Sequence, residues 1–338
     1  MKLLKYAGLG LAALIVAVLA AGFLLPKTAH VERSIVIEAP PATVFTVLNG
    51  FRQFNRWSPW ADKDPQARYS LTGPETGVGA RMSWTGNDDV GSGAQEILES
   101  VPYQLIRVQL EFSGFEDAEN IAAYTLVPEG AGTRLTWSFD ADNSRTLMGR
   151  WFGLFMDGML GPDYEAGLAR LKAFAESLPK ADFSGLPMSI VEVAPLAVAM
   201  VSTVSARDDR AIGVALGVAY GKISGFINLR GLEQAAPPLA IYQPPEDGRV
   251  RFEAAIPVDR TDVAPAGDVR LGQTFRGLAV KAVYQGPYAG LIAANDQITA
   301  FLAASGYDKA GPSMEQYISD PASTAETELV THIYYPVR

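Results

Sequence analysis

Cysteine is absent from all 338 residues. That removes disulfides, thiolate nucleophiles and cysteine-ligated metal at once, and it leaves the redox compartment open. Histidine is nearly absent as well. His30 and His332 are the only two imidazoles, too few for a histidine-based metal centre, so neither a metal nor a cofactor is expected. A surplus of positive charge is also missing. With 28 Lys+Arg against 37 Asp+Glu and a net charge of −9, the chain offers no broad phosphate-neutralising surface, and nucleic acid is not an expected partner. There is no G-x-S-x-G elbow, no H-E-x-x-H pair and no phosphate-cradling glycine loop, which removes support for standard hydrolase and nucleotide chemistry.

What is present begins at the N-terminus. From Tyr6 to Leu25 no side chain is charged, and as a helix this run would be about 30 Å long, enough for a bilayer core. Lys2 and Lys5 precede it. The positive-inside bias then keeps the N-terminus cytoplasmic and sends the downstream residues across the membrane. Residues 1–27 are therefore expected to be a single transmembrane anchor in the cytoplasmic membrane, with the rest of the chain on the extracytoplasmic side. The alternative is a signal segment, processed near Val18-Leu19-Ala20, that yields a secreted or periplasmic protein.

After a short tether from Pro26 to His30, the hydrophobic period changes. "VERSIVIEAP" from Val31 alternates as a strand, and "PPATVFTVLNGF" then takes helical spacing, opened by Pro40-Pro41. Strand-like runs come next at Arg68 to Leu71, Ala80 to Trp84, Ala94 to Glu99, Gln104 to Phe112, Ile121 to Val127 and Thr133 to Asp140. Turn-rich connections separate them, as in an antiparallel meander. Residues 145–179 then read as helical, with Leu168, Leu171, Phe174 and Leu178 as the apolar stripe and Pro162 suited to a first turn.

The segment from 31 to 180, through "IEAPPATVFTVLNGFRQFNRWSPW" and "MLGPDYEAGLARLKAF", resembles the START-like SRPBCC superfamily that includes polyketide cyclases. The resemblance implies a helix-grip fold in which a sheet wraps a long helix over an apolar cavity. Trp57, Trp60, Trp84 and Phe112 are aromatic candidates for the cavity lining, against the plainer reading that they are ordinary core.

"ESLPKADFSGLP" from Glu176 reads as a linker. Beyond it an internal repeat emerges. "IVEVAPLAVAMVSTVS", "RAIGVALGVAYGKISGFINLRG" and "PPLAIYQPPEDGRVRFEAAIPVD" are echoed by "FRGLAVKAVYQGPYAG", "LIAANDQITAFLAASG" and "SMEQYISDPASTAETELVTHIYYPVR". Each copy reads strand, helix, strand, strand, and Tyr242 falls where Tyr317 does. Two such units side by side would form one sheet with helices on one face and a groove near a pseudo-two-fold axis.

This repeat, with "QGPYAGL", "MEQYISDP" and "ELVTHIYYPV", resembles the GyrI-like small-molecule-binding domain, found also as the effector module of AraC-type and MerR-type regulators. The resemblance covers 187 to 338. It implies that Glu315 projects into the groove as the acidic group facing a ligand, with Tyr317 beside it and with Tyr288 and Tyr242 as further contacts. Where relatives often carry a basic residue or histidine before "GPY", this chain has Gln285. The expected architecture is α+β: a helix-grip START-like domain and a tandem GyrI-like domain after one transmembrane helix.

A carboxylate among tyrosine faces suits a ligand that brings a cation with aromatic or aliphatic surface. The expected partner is therefore a small hydrophobic or cationic molecule, bound for sensing or sequestration. Two other readings stand beside it. One is an enzyme, a hydrolase of reactive toxins or a polyketide cyclase-like catalyst, in which Glu315 would be general base. The other is a cell-envelope adaptor, whose mark would be filled cavities and a large exposed apolar patch.

Overall fold

The computed structural model describes residues 2–114, 119–144, 146–206, 208–244 and 249–338, with backbone alone for 2–5, 7, 8, 11–13 and 209. The chain divides into two compact units, Met1–Lys180 with Ala304–Gly306, and Ala181–Ala303 with Tyr307–Arg338.

The first unit begins with α1 (Lys2–Leu24), which runs almost directly into β1 (Thr28–Ile37). The expected tether is thus shorter than its sequence suggested, because the alternating pattern already pairs at Thr28↔Asp142. Among the described side chains of α1 the apolar run is Leu14–Leu24. By itself that is shorter than the roughly 20 residues of a bilayer crossing.

Next come α2 (Pro41–Leu48), β2 (Arg68–Thr72), β3 (Arg81–Thr85), β4 (Ser92–Val101), β5 (Leu105–Phe112), β6 (Asn120–Glu129) and β7 (Gly132–Asp142). They form one antiparallel sheet in the order β1-β7-β6-β5-β4-β3-β2, a meander closed by return of the first strand to the last. In β1, β5, β6 and β7 the alternation buries one face: Val31, Ile37, Ile106, Val108, Leu126 and Leu135 are all buried, whereas the edge strand β2 buries none of its residues.

The helical stretch after the sheet is two helices, α3 (Leu147–Gly153) and α4 (Met156–Ser177). Pro162 lies inside α4, not in a first turn as expected. The carbonyl it leaves without a helical donor belongs to Gly158, which is exposed, so water can satisfy it. Leu168, Leu171 and Ala175 bury the apolar stripe, and Tyr164 stacks on Trp137 with ring centroids 3.8 Å apart.

The second unit contains β8 (Met188–Val193), β9 (Ala197–Ala206), α5 (Asp209–Arg230), β10 (Leu239–Tyr242), β11 (Arg249–Pro257), β12 (Arg270–Gln273), β13 (Gly277–Gln285), α6 (Leu291–Ser305), β14 (Ser313–Tyr317) and β15 (Val330–Pro336). Their order is β12-β9-β11-β10-β14-β15-β13-β8. The repeat is there, strand-helix-strand-strand twice. One expectation fails: "IVEVAPLAVAMVSTVS" is two strands, not one, because Pro195 has no N–H to continue a ladder. The first piece, β8, leaves its own repeat and pairs with β13 of the other, while β12 pairs with β9 of the first. The two repeats exchange their leading strands.

Both helices cover the same face. Ala219, Ile223, Phe226 and Ile227 of α5 pack on β9 and β11, and Ala294, Ile298 and Leu302 of α6 pack on β13 and β15. Asp208 caps α5 by accepting from the Ala211 N–H at 2.9 Å, and Gly231, at φ 60°, ends it in the left-handed conformation that glycine adopts freely. α5 is long and apolar enough to cross a membrane by composition; one of its faces packs on the sheet, while Val214, Val218 and Leu229 are exposed. The expected linker is not loose either. Phe183 is buried edge-on against Phe301, and the Asp182 carbonyl accepts from Gln297 at 2.9 Å.

Candidate functional site

The two repeats meet at β10 and β14, paired antiparallel with Ala240 directly opposite Glu315. Since Tyr242 corresponds to Tyr317 in the repeat, the residues two places earlier, Ala240 and Glu315, also correspond. The pseudo-two-fold axis therefore passes through this pair, and one copy alone carries the acid. Alternation turns Ala240, Tyr242, Glu315 and Tyr317 to the helix-covered face, whereas Leu239 and Met314 join the core on the opposite face. Between α5 and α6 that face is left open as a cavity of about 980 Å³.

Glu315 lies in this cavity and is only 5 % exposed. Asn295 Nδ2 donates to its Oε1 at 3.0 Å and Tyr317 Oη donates to its Oε2 at 3.1 Å. The chain of hydrogen bonds extends both ways: Tyr242 Oη lies 3.0 Å from Tyr317 Oη, and Tyr335 Oη donates to Asn295 Oδ1 at 2.7 Å. These two donors fix the orientation of the carboxylate in the cavity. Burial, and then the nearby Glu315, push the Tyr317 hydroxyl well above the ordinary phenol range. Burial raises Tyr335 to about 12. The phenols are therefore donors, not bases, at neutral pH.

All four residues implied by the family resemblance line the cavity. Tyr288 comes just after the Gly286-Pro287 turn, and its ring meets Tyr317 edge-on at 5.5 Å; Tyr242 lies against Phe252. The sequence reading missed Asn295, Tyr220, Tyr335 and Lys309, which also line it. A lone asparagine within the apolar run "LIAANDQITAFLAASG" was the available signal for the first. Lys309 sits with its ammonium 4.6 Å from the centre of the Tyr335 ring, and burial lowers its pKa. Asp296 and Asp320 contribute further negative charge to the wall. On the α5 side the wall is thin: Gly213 and Gly217 face the cavity, and a Cβ added to either meets no atom within 4 Å.

The four aromatic candidates of the first unit do not come together as one lining. Trp57 is buried, meeting Phe54 at 5.0 Å and Trp137 at 5.6 Å between ring centroids. Trp60 meets Trp137 from another side, half-buried. Trp84 and Phe112 form a separate edge-to-face pair on β3 and β5. Among the described residues no group of three or more His, Cys, Asp or Glu side chains is arranged to hold a metal.

A polar-tipped aromatic pocket around one buried acid is the geometry of a small-molecule site. Comparison agrees. Residues 28–176 match the family model for polyketide cyclase, dehydrase and lipid transport, and residues 186–338 match that of the GyrI-like small molecule binding domain. The chain thus carries a polyketide cyclase-like domain and a GyrI-like domain in that order. No curated protein matches it. Among solved structures, the EcmrR C-terminal domain is 17 % identical with a TM-score of 0.41, covering 46 % of this chain and 98 % of that one. Protein CV1439 from Chromobacterium violaceum is 20 % identical with a TM-score of 0.32, over 45 % of this chain and 99 % of that one. Norcoclaurine synthase from Thalictrum flavum, in complex with dopamine and hydroxybenzaldehyde, is 16 % identical with a TM-score of 0.34, over 43 % and 85 %.

Proposed function

We propose that this chain is a membrane-anchored receptor for small cationic molecules with an aromatic or aliphatic body, and that it senses or sequesters them through the groove of its second unit. The observation that carries the reading is Glu315, a carboxylate 5 % exposed and held by neutral donors inside a roomy cavity walled by tyrosines. Away from bulk water, a cationic ligand entering the groove is attracted to this carboxylate more strongly than it would be in solvent. Tyrosine faces add about 0.5 to 2 kcal/mol per good cation–π contact. The reading places α1 across the cytoplasmic membrane, supported by its uncharged run, with both units on the extracytoplasmic side.

The test is titration of the purified full chain with a fluorescent cationic dye such as rhodamine 6G. Glu315→Gln keeps the shape and removes the charge, and affinity should fall at least about tenfold, since a charged hydrogen-bonded partner contributes roughly 1.5 to 3 kcal/mol. Unchanged affinity overturns the role of charge.

A second reading has one specific observation in its favour. The Tyr242–Tyr317–Glu315 relay joins two hydroxyls to a carboxylate, and with the phenol held protonated only Glu315 could accept a proton. Turnover of a strained electrophile, abolished by Glu315→Gln, would favour a hydrolase. The adaptor reading calls for filled cavities, and the open groove of the second unit opposes it.

A further inference from the structure

The first unit exposes large apolar side chains in one short stretch. Met148, Phe152, Leu154, Phe155 and Met159, across the junction of α3 and α4, are all exposed, the first at 77 % and Phe155 at 64 %. Concentrations of this kind mark surfaces that meet a partner or a lipid phase. The fold determines where this one stands. The Asn143 N–H donates to the Lys27 carbonyl at 2.7 Å, and Thr28 pairs with Asp142, so the chain leaving β7 for α3 runs beside the chain leaving α1. The last turn of α1 also packs on α3: a Cβ at Gly22 would stand 2.9 Å from Trp151 Nε1, and Arg150 donates to the Phe23 carbonyl at 3.1 Å. Only Leu25, Pro26 and Lys27 separate α1 from β1, a reach of about 10 Å.

We infer that α3 and the first turn of α4 form a second membrane contact, an apolar surface that enters the outer interface of the bilayer beside the point where α1 leaves it. The inference rests on the reading of α1 as an anchor. A connection this short cannot hold the unit clear of the lipid, and the element beside it exposes Phe152 and Phe155, apolar aromatic side chains of the kind that bury at the headgroup–acyl boundary in interfacial helices. Exposed Lys27 flanks them, placed to meet lipid phosphates, while Arg150 is engaged with the Phe23 carbonyl.

The chain contains no cysteine, so single cysteines can be introduced and nitroxide-labelled without a background. Labels are placed at the exposed positions Met148→Cys, Phe155→Cys, Val16→Cys in α1 and Val127→Cys, the last at the opposite end of the sheet near the β6–β7 turn. The full chain is reconstituted in vesicles of phosphatidylcholine and phosphatidylglycerol, and collision with oxygen is compared with collision with a water-soluble nickel chelate. The expected result is that labels at 148 and 155 favour oxygen, as at 16, while the label at 127 favours nickel. Nickel-accessible labels at 148 and 155 with a lipid-exposed label at 16 overturn the second contact and leave the anchor intact. A water-exposed label at 16 overturns the anchor, whatever the labels at 148 and 155 report. Low collision with both reagents at 155, with spin–spin broadening, overturns the proposal in favour of self-association.

Discussion

The interiors of the two units use the same residue types and reach opposite results. In the first, Trp57, Tyr124, Trp137 and Tyr164 turn their rings on one another, and the indole N–H groups of Trp57 and Trp137 are buried with no hydrogen-bond partner among the described residues. In the second, the hydroxyls of Tyr242, Tyr317 and Tyr335 are linked through Glu315 and Asn295 and face open space. Burial raises the phenol of Tyr124 in the one and of Tyr317 in the other. Raised phenols alone therefore do not mark a site. An acid at the end of a bonded chain, with room beside it, does.

The contrast is tested most severely in the first unit. Trp137→Ala removes the ring on which Trp57, Trp60, Tyr124 and Tyr164 all pack, and should destabilise the protein by about 3 to 5 kcal/mol in a denaturant titration. If the rings were a ligand lining instead of a core, stability would hardly change. In the second unit Gly217→Leu should act the other way round. It replaces a helical glycine, a gain of roughly 0.5 to 1 kcal/mol in helix propensity, yet drives a side chain into the groove, so dye binding should be lost while the unfolding midpoint holds or rises.

Tyr317→Phe deletes one donor to Glu315 and one link to Tyr242. Its cost should be about 0.5 to 1.5 kcal/mol, seen as a few-fold weaker dye binding. Unaltered affinity would show that the carboxylate needs no positioning.

The smallest effect concerns His30, which bonds Asp140 at 2.7 Å near the start of the first sheet. That hydrogen bond raises its pKa above the usual imidazole value. A raised folded-state pKa means the stabilisation is complete below the unfolded value near 6.5 and is lost as pH rises through the folded value. Half-exposed as the pair is, it should contribute under about 1 kcal/mol. His30→Gln should remove, by that amount, the loss of stability as pH rises above the unfolded value near 6.5.

Period and alternation made most strands of the first sheet readable to within two residues, because each has one wet face. The break between α3 and α4 left no trace in the pattern, since none of the apolar residues around it, from Met148 to Met159, is buried and so no core-facing stripe marks where one helix ends and the next begins. The repeat was legible because the copy preserves Tyr242 against Tyr317, whereas Glu315 came from the family resemblance, since the first copy has Ala240 in its place. Asn295 was not, since a helix residue meets a strand residue 20 places on only after both have packed on the sheet. The exchange of leading strands was hidden for a similar reason: nothing local tells β8 to pair with residues 277–282 instead of with its neighbour β9.

That exchange has a consequence for how the second unit is made. Neither repeat can complete its own sheet edge, because Val193 must wait for Gly277 and Ala197 for Gln273. Closing such distant pairs carries loop entropy before any contact rewards it, so the unit should fold slowly and in one step, with no half-folded repeat as a resting point. The groove along its axis then exists only when both repeats do, and an isolated half, however carefully excised, would have neither a finished edge nor a site.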